Sequence, residues 1–210
     1  MTITVTLPDN SKKIFEKGTT PLEVANSISE GLMRATVAAF VNGTLVDATV
    51  PLHHSSTLKL ITCKDSEGIE VFRHSSAHVL AQAVMELFPE AKLTIGPVIE
   101  EGFYYDIDHS PFTQEDIDKI ELQMHDIVNK KLDIKRLELS KAEAKKLFKE
   151  NTYKLELINE IPGEKVSVYQ QGEFKDLCTG PHVPNTSYIK AFKLTKIAGA
   201  YWRGDAKISG

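Results

Sequence analysis

His74-Ser75-Ser76-Ala77-His78 and Cys178-Thr179-Gly180-Pro181-His182 are the two stretches of this 210-residue chain whose residue types and spacing point to chemistry. Each holds two potential ligand side chains four positions apart. Brought together, they would form a pocket of three imidazoles and one thiol. Three nitrogen donors and a sulfur make a tetrahedral zinc set. The same groups can equally work without metal as acid, base and water-positioning groups, because imidazole titrates near neutrality and holds water by hydrogen bonds. Each half alone also has a plain structural reading, as half-exposed helix residues in one case and as a small apolar core thiol in the other.

The elements that must position these groups can be read from the spacing around them. Ala77, Leu80, Ala81, Val84, Leu87 and Phe88 recur at helical intervals, so His74 and His78 are expected on one face of a helix, near its start. Gly180-Pro181 predicts a tight turn that aims Cys178 and His182 inward. Between the two halves, Ile95 to Asp106 reads as a turn and a strand hairpin in which the adjacent Tyr104 and Tyr105 face opposite ways. One ring can then line a pocket while the other packs, or both can serve as core and rim.

The first sixty residues read as a module of their own. Ile3, Val5 and Leu7 alternate before a turn at Pro8-Asp9-Asn10, and Ile14 continues a second strand. Thr20-Pro21-Leu22-Glu23 is a capping box with proline at the first helical position. Val37–Val41 is expected as a buried strand turned by Asn42-Gly43 into Leu45-Val46, and Thr57–Ile61 closes the sheet. The outcome is a small ubiquitin-like roll. His53 and His54 are adjacent, point apart in an extended segment and are expected in a solvent-facing loop. Lys64–Gly68 is polar and turn-prone, which predicts the boundary, with the second domain beginning near Val71.

Further along, Thr113-Gln114-Glu115-Asp116 opens a helix striped with Ile117, Ile120, Met124 and Ile127. Leu132–Leu139 is expected as a strand, Ser140 caps a short helix running to Phe148, and Tyr153, Leu155 and Leu157 alternate as a strand that puts Lys154 on the opposite face. Val166 and Val168 mark another strand, and Ile189–Trp202 a long final one loosened by Gly199 and Gly204. Lys130, Lys131, Lys135, Arg136, Lys141, Lys145, Lys146 and Lys149 are interleaved with Asp133, Glu138 and Glu143, a pattern that suits a solvated face or a phosphate-contacting patch. The whole is an α+β chain of two domains, 1–63 and 64–210.

A net charge of −4 supplies no overall attraction to nucleic acid, so any RNA contact must be local. With two cysteines, no signal peptide and no apolar run long enough to span a bilayer, a reducing cytoplasm is expected, with no membrane partner and no structural disulfide.

Four motifs in order, His74–His78, Ile95-Gly96-Pro97-Val98 through Gly102–Asp106, Asp176–His182 and Gly199–Asp205, closely resemble the N-terminal part of bacterial-type threonyl-tRNA synthetases. The resemblance covers the whole chain. It implies a ubiquitin-like β-grasp (TGS) domain followed by an editing domain of the threonyl/alanyl-tRNA synthetase second additional domain type. The implied task is hydrolysis of serine wrongly attached to threonine tRNA. A threonine pocket discriminates against one missing methyl by only about 1–3 kcal/mol, so fidelity needs a second, hydrolytic sieve.

By this resemblance His74, His78, Lys154, Asp176, Cys178 and His182 are the catalytic set, and Gly96, Tyr105 and Leu177 shape the substrate pocket. His74 and the Cys178 thiol would position or activate water; Lys154 would stabilise negative charge or activate a second water. The partner would be the 3′ end of threonine tRNA carrying serine. The alanyl-type relatives resemble zinc proteins at this quartet, whereas the threonyl type is expected to edit without metal. Four protein ligands at His74, His78, Cys178 and His182 would also leave no open position for water. Nothing here resembles the ligase core, so ATP, Mg²⁺, the core zinc and the contacts of a parent homodimer are expected outside this stretch, which reads as an N-terminal piece of a full synthetase. Competing readings are a non-catalytic RNA-binding or regulatory module with a structural zinc, a stand-alone trans-editing deacylase, and a generic zinc hydrolase.

Overall fold

A computed structural model describes residues 1–199, 201–202 and 205–209. It opens with the expected hairpin, β1 (Thr2–Thr6) antiparallel to β2 (Lys12–Glu16). Alternation buries Ile3 and Val5 on the inner face. Helix α1 (Pro21–Ile28) starts at a closed capping box: the Thr20 hydroxyl accepts from the Glu23 N–H, and the Glu23 carboxylate accepts from the Thr20 N–H. A second short helix, α2 (Glu30–Ala35), follows Ser29, whose hydroxyl accepts from the Leu32 N–H.

Strands β3 (Thr36–Val41) and β4 (Thr44–Asp47) are joined by Asn42-Gly43, both at positive φ, 49° and 81°, as a two-residue hairpin turn requires. With β5 (Ser56–Thr62) the sheet order is β2-β1-β5-β3-β4, β1 and β5 running parallel. Val24 of α1 is buried among Ile3, Val5 and Leu58 of this sheet, which is the ubiquitin-like roll expected. His53 and His54 lie exposed outside any strand, also as expected.

Helix α3 (Ser66–Leu87) follows β5 after only three residues. The expected linker at Lys64–Gly68 is therefore half helix, and His74 and His78 stand in the middle of α3, not near its start. Two physical causes hid that start. The Asp65 carboxylate accepts the Thr62 N–H instead of capping the helix. And α3 is enclosed on several sides, by β3, β5, α4 (Gln114–Asn129) and a small hairpin, so no single apolar stripe marks it. Val37, Ala38 and Ile61 of the first sheet share one core with Val71, Val79 and Val84 of α3 and with Ile120, Met124 and Ile127 of α4. That shared core fixes the N-terminal sheet against the helix that carries the histidines.

Short strands follow α3: β6 (Lys92–Leu93), β7 (Val98–Ile99), β8 (Gly102–Phe103) and β9 (Ile107–Asp108), paired β6–β9 and β7–β8. The Ile95–Asp106 hairpin is real but tighter than expected. α4 begins at the Thr113/Asp116 capping box. Strand β10 (Ile134–Ser140) leads through the Ser140/Glu143 box into α5 (Lys141–Leu147). β10 pairs antiparallel with β11 (Lys165–Gln171), and β11 with β12 (Phe174–Leu177), a strand the spacing did not announce.

Two expected strands are corrected. Tyr153–Leu157 lies within helix α6 (Thr152–Glu160), begun by the Asn151 side chain accepting the Lys154 N–H. Its buried residues are Tyr153, Lys154 and Ile158, so the period-two pattern of Tyr153, Leu155 and Leu157 was coincidence. Lys154 therefore points inward as part of a helix face. The long final strand from Ile189 is also absent: a 3₁₀ turn at Thr186–Tyr188 precedes residues without regular structure to Gly199, and strands return only as β13 (Tyr201–Trp202) and β14 (Asp205–Ser209). Ala200, Arg203 and Gly204 of the fourth motif lie outside the described residues. No described helix is long and apolar enough to cross a membrane.

Candidate functional site

The two halves do meet. His74 and His78 project from α3 toward the loop after β12, and the ligand atoms of His74, His78, Cys178 and His182 all lie within 4.8 Å of one another. Cys178 Sγ stands 3.4 Å from His74 Nε2 and 3.1 Å from His182 Nε2. The Gly180 N–H donates to the same sulfur at 3.3 Å. Gly180 has φ +70° and a Cβ there would sit 1.9 Å from Tyr169 Oη, so this turn accepts only glycine.

Burial sets the charge state of this quartet. It pushes the Cys178 thiol up to about 12, and it holds the imidazoles of His78 and His182 well below their ordinary 6.5, with mutual repulsion adding to it. His74, the most exposed of the three, is lowered too, by burial against the opposing pull of Asp176 and Glu70. At neutral pH the quartet is then three neutral rings and a thiol. One thiol hydrogen cannot serve both His74 and His182, so one ring must donate to sulfur or leave that contact unbonded.

Next to it lies a second group, formed by Lys154, Asp176 and Tyr105. Lys154 Nζ donates to Asp176 Oδ1 at 2.8 Å, to Tyr105 Oη at 2.9 Å and to the Thr94 carbonyl at 2.7 Å. All three ammonium hydrogens are thus used. Tyr105 in turn donates to Asp176 Oδ2 at 2.6 Å, and burial beside that carboxylate raises its phenol well above 10. Asp176 Oδ1 also accepts the Leu177 N–H. His78 Nε2 is 3.5 Å from Asp176 Oδ2, a dipolar contact and not an ion pair, since burial keeps the ring neutral.

Both groups border one open cavity of about 770 Å³, lined by His74, His78, Gly96, Tyr105, Lys154, Asp176, Leu177 and Cys178, with the charged Arg136, Glu138 and Lys165 also among its lining residues. Eight of the nine anticipated site residues line it. His182 is the ninth and lies behind the others, 1% exposed. A Cβ on Gly96 would come 2.5 Å from Tyr105 Cδ2, so the glycine allows the ring its place. Tyr104 is 41% exposed and turned away, which resolves the tyrosine pair in favour of Tyr105.

Some contributors had no sequence signal. Ser75 Oγ stands 2.9 Å from His182 Nδ1 and accepts the Val183 N–H at 3.0 Å, fixing the ring. Its place inside the His74–His78 stretch was the available hint. Thr94 acts through its carbonyl, which no side-chain pattern reveals.

As a metal site the quartet fits. Three imidazoles and a sulfur converge, and Ser75 holds the outer nitrogen of His182 as an outer-shell partner would.

A β-grasp sheet packed on an α+β unit with a His/Cys quartet defines a two-part chain, and family comparison gives each part a description. Residues 3–62 match the TGS domain, and residues 166–210 match the threonyl and alanyl tRNA synthetase second additional domain. Its relatives are threonine–tRNA ligases. That of Desulfosudis oleivorans is 50% identical over 203 residues, covering 97% of this chain and 32% of the relative. Those of Geobacter sp. strain M21 and Citrifermentans bemidjiense are 52% and 53% identical, each over 98% of this chain and 33% of the relative. The chain spans about a third of the length of the curated relatives it matches.

Proposed function

We propose that this chain is an aminoacyl-tRNA deacylase that removes serine wrongly esterified to threonine tRNA, with residues 1–63 as its TGS domain and 64–210 as its editing domain. The observation that carries this reading is the shared cavity, where a neutral His/Cys quartet adjoins a buried Lys154–Asp176–Tyr105 group. It is supported by the match of residues 166–210, which hold Asp176, Cys178 and His182, to a tRNA synthetase additional domain.

In this reading the 3′-terminal adenosine brings the seryl ester into the cavity that Gly96 and Tyr105 help to line. A water held by His74 and the Cys178 thiol attacks the ester carbonyl, with neutral His74 accepting its proton. The new C–O bond forms, the bond to the ribose oxygen breaks, and that oxygen takes the proton back, leaving serine and a free 3′ end. Cys178 stays a thiol, hence a positioning group and not a nucleophile, because the thiolate is the nucleophilic form. Lys154, with its donors already bonded, acts as a fixed positive charge toward the developing oxyanion.

No metal is required in this proposal. The quartet would hold a zinc ion through all four side chains, and the ion would then order the loop; it would have no protein-free position for a water. Threonylation with ATP belongs, on this reading, to other parts of a cytoplasmic, homodimeric ligase. The 4.8 Å convergence of four ligand atoms favours one alternative, an RNA-binding module with a structural zinc. The deciding experiment is a Cys178→Ala/Lys154→Ala double substitution assayed with seryl-tRNA. Abolished serine release supports the deacylase; full release from the double variant refutes it.

A further inference from the structure

We infer that Asp47, the last residue of β4 in the N-terminal sheet, is a positioning residue for the deacylation site, an inference that rests on reading the cavity as hydrolytic. Asp47 lies 135 positions from His182, and its Oδ1 accepts the His182 main-chain N–H at 2.9 Å. Its Oδ2 accepts the Tyr169 hydroxyl at 2.8 Å. The Tyr169 ring lies 4.4 Å from the His182 imidazole, edge-on, and its oxygen occupies the space a Cβ on Gly180 would need. One carboxylate thus ties the backbone that carries His182 and the ring that supports it.

The tie matters because it joins this loop to the N-terminal sheet. The loop's other bonds, Val183 N–H to Ser75 Oγ, Ile134 N–H to the Pro184 carbonyl and Cys178 N–H to the Ser167 carbonyl, come from the C-terminal part. Pro181 has no N–H, the Gly180 N–H turns inward to the Cys178 sulfur, and residues 178–184 belong to no helix or strand. Asp47 itself is well anchored: it pairs with Ala38 in the β3–β4 ladder, and the Val50 N–H donates to its carbonyl. Ala38 sits in the core shared with α3, which carries His74 and His78. The N-terminal sheet is therefore a brace that sets the distance between the two halves of the quartet, and a small error in that distance is costly where reacting groups must align.

The role needs an acceptor for the amide and a polar partner for the phenol, and an asparagine supplies both. With wild-type chain and seryl-tRNA, Asp47→Ala is expected to lower kcat about 100-fold with KM nearly unchanged, and Asp47→Asn to stay within about 10-fold of wild type. A readout free of activity accompanies this: hydrogen exchange at the His182 amide should be about 10-fold faster in Asp47→Ala and near wild type in Asp47→Asn. Should Asp47→Ala not fold, Tyr169→Phe removes one arm of the tie and is expected to lower kcat in the same sense. Wild-type kcat and unchanged His182 exchange in Asp47→Ala, or a rise in KM alone, would overturn the inference. Absence of serine release by the wild-type chain would instead refute the hydrolytic reading, and the exchange measurement would still decide on Asp47.

Discussion

Lys154 Nζ and Asp176 Oδ1 stand 2.8 Å apart with side chains 3% and 1% exposed, a buried ion pair brought together by a helix and a strand. Its energetics differ from those of a surface pair, since removing one partner strands the other charge away from water. Lys154→Met should therefore destabilise the fold by about 3–5 kcal/mol, and Lys154→Met/Asp176→Leu should recover most of it. Urea unfolding measures both. Neither variant should release serine from seryl-tRNA, which separates the stability role from the catalytic one.

Gly96→Ala is expected to act through Tyr105. The new methyl would fall 2.5 Å from the ring, so the ring must move and with it the hydroxyl shared by Asp176 and Lys154. Deacylation should fall about 10- to 100-fold while thermal stability changes modestly. An unchanged rate would show that Tyr105 does not set the pocket.

The two thiols should differ in reactivity. Partial burial raises the Cys63 thiol somewhat, against the pull of Lys190, but this thiol is exposed, whereas Cys178 is buried and pushed up to about 12. Iodoacetamide near neutral pH should label Cys63 and spare Cys178, because only thiolate reacts. Peptide mass analysis after partial labelling reads the ratio directly, and equal labelling would contradict the neutral-thiol site.

The histidines predict a pH dependence with a definite sign. Burial lowers the proton affinity of His74, His78 and His182 below the ordinary 6.5. The unfolded chain then binds more protons just below that value, so stability is present above it and declines as pH falls through the window beneath it. Enzymatic deacylation, corrected for spontaneous ester hydrolysis, should be level near neutrality and drop only as pH passes below 6.5, when His74 becomes cationic. A rate that rises on acidification would remove His74 as the base.

Much of the fold was legible because its signals are local. The boxes at Thr20, Thr113 and Ser140 each join a hydroxyl to an amide three residues on, and Asn42-Gly43 meets a positive-φ requirement directly. The His74/His78 and Cys178/His182 spacings were likewise visible. Helix α6 was not, since three apolar residues at alternate positions fit a strand as well as a helix until the Asn151 cap and the buried Lys154 are seen. Asp47, Tyr169 and the Thr94 carbonyl were invisible for a different reason: their roles arise from contacts more than 50 residues apart, which no local pattern encodes.

The most direct measurement is single-turnover release of labelled amino acid from seryl- and threonyl-esterified threonine tRNA by this chain, with and without a metal chelator. Rapid release of serine, slower release of threonine and no effect of the chelator are expected. No release from either ester, or release abolished by the chelator, would contradict metal-free deacylation.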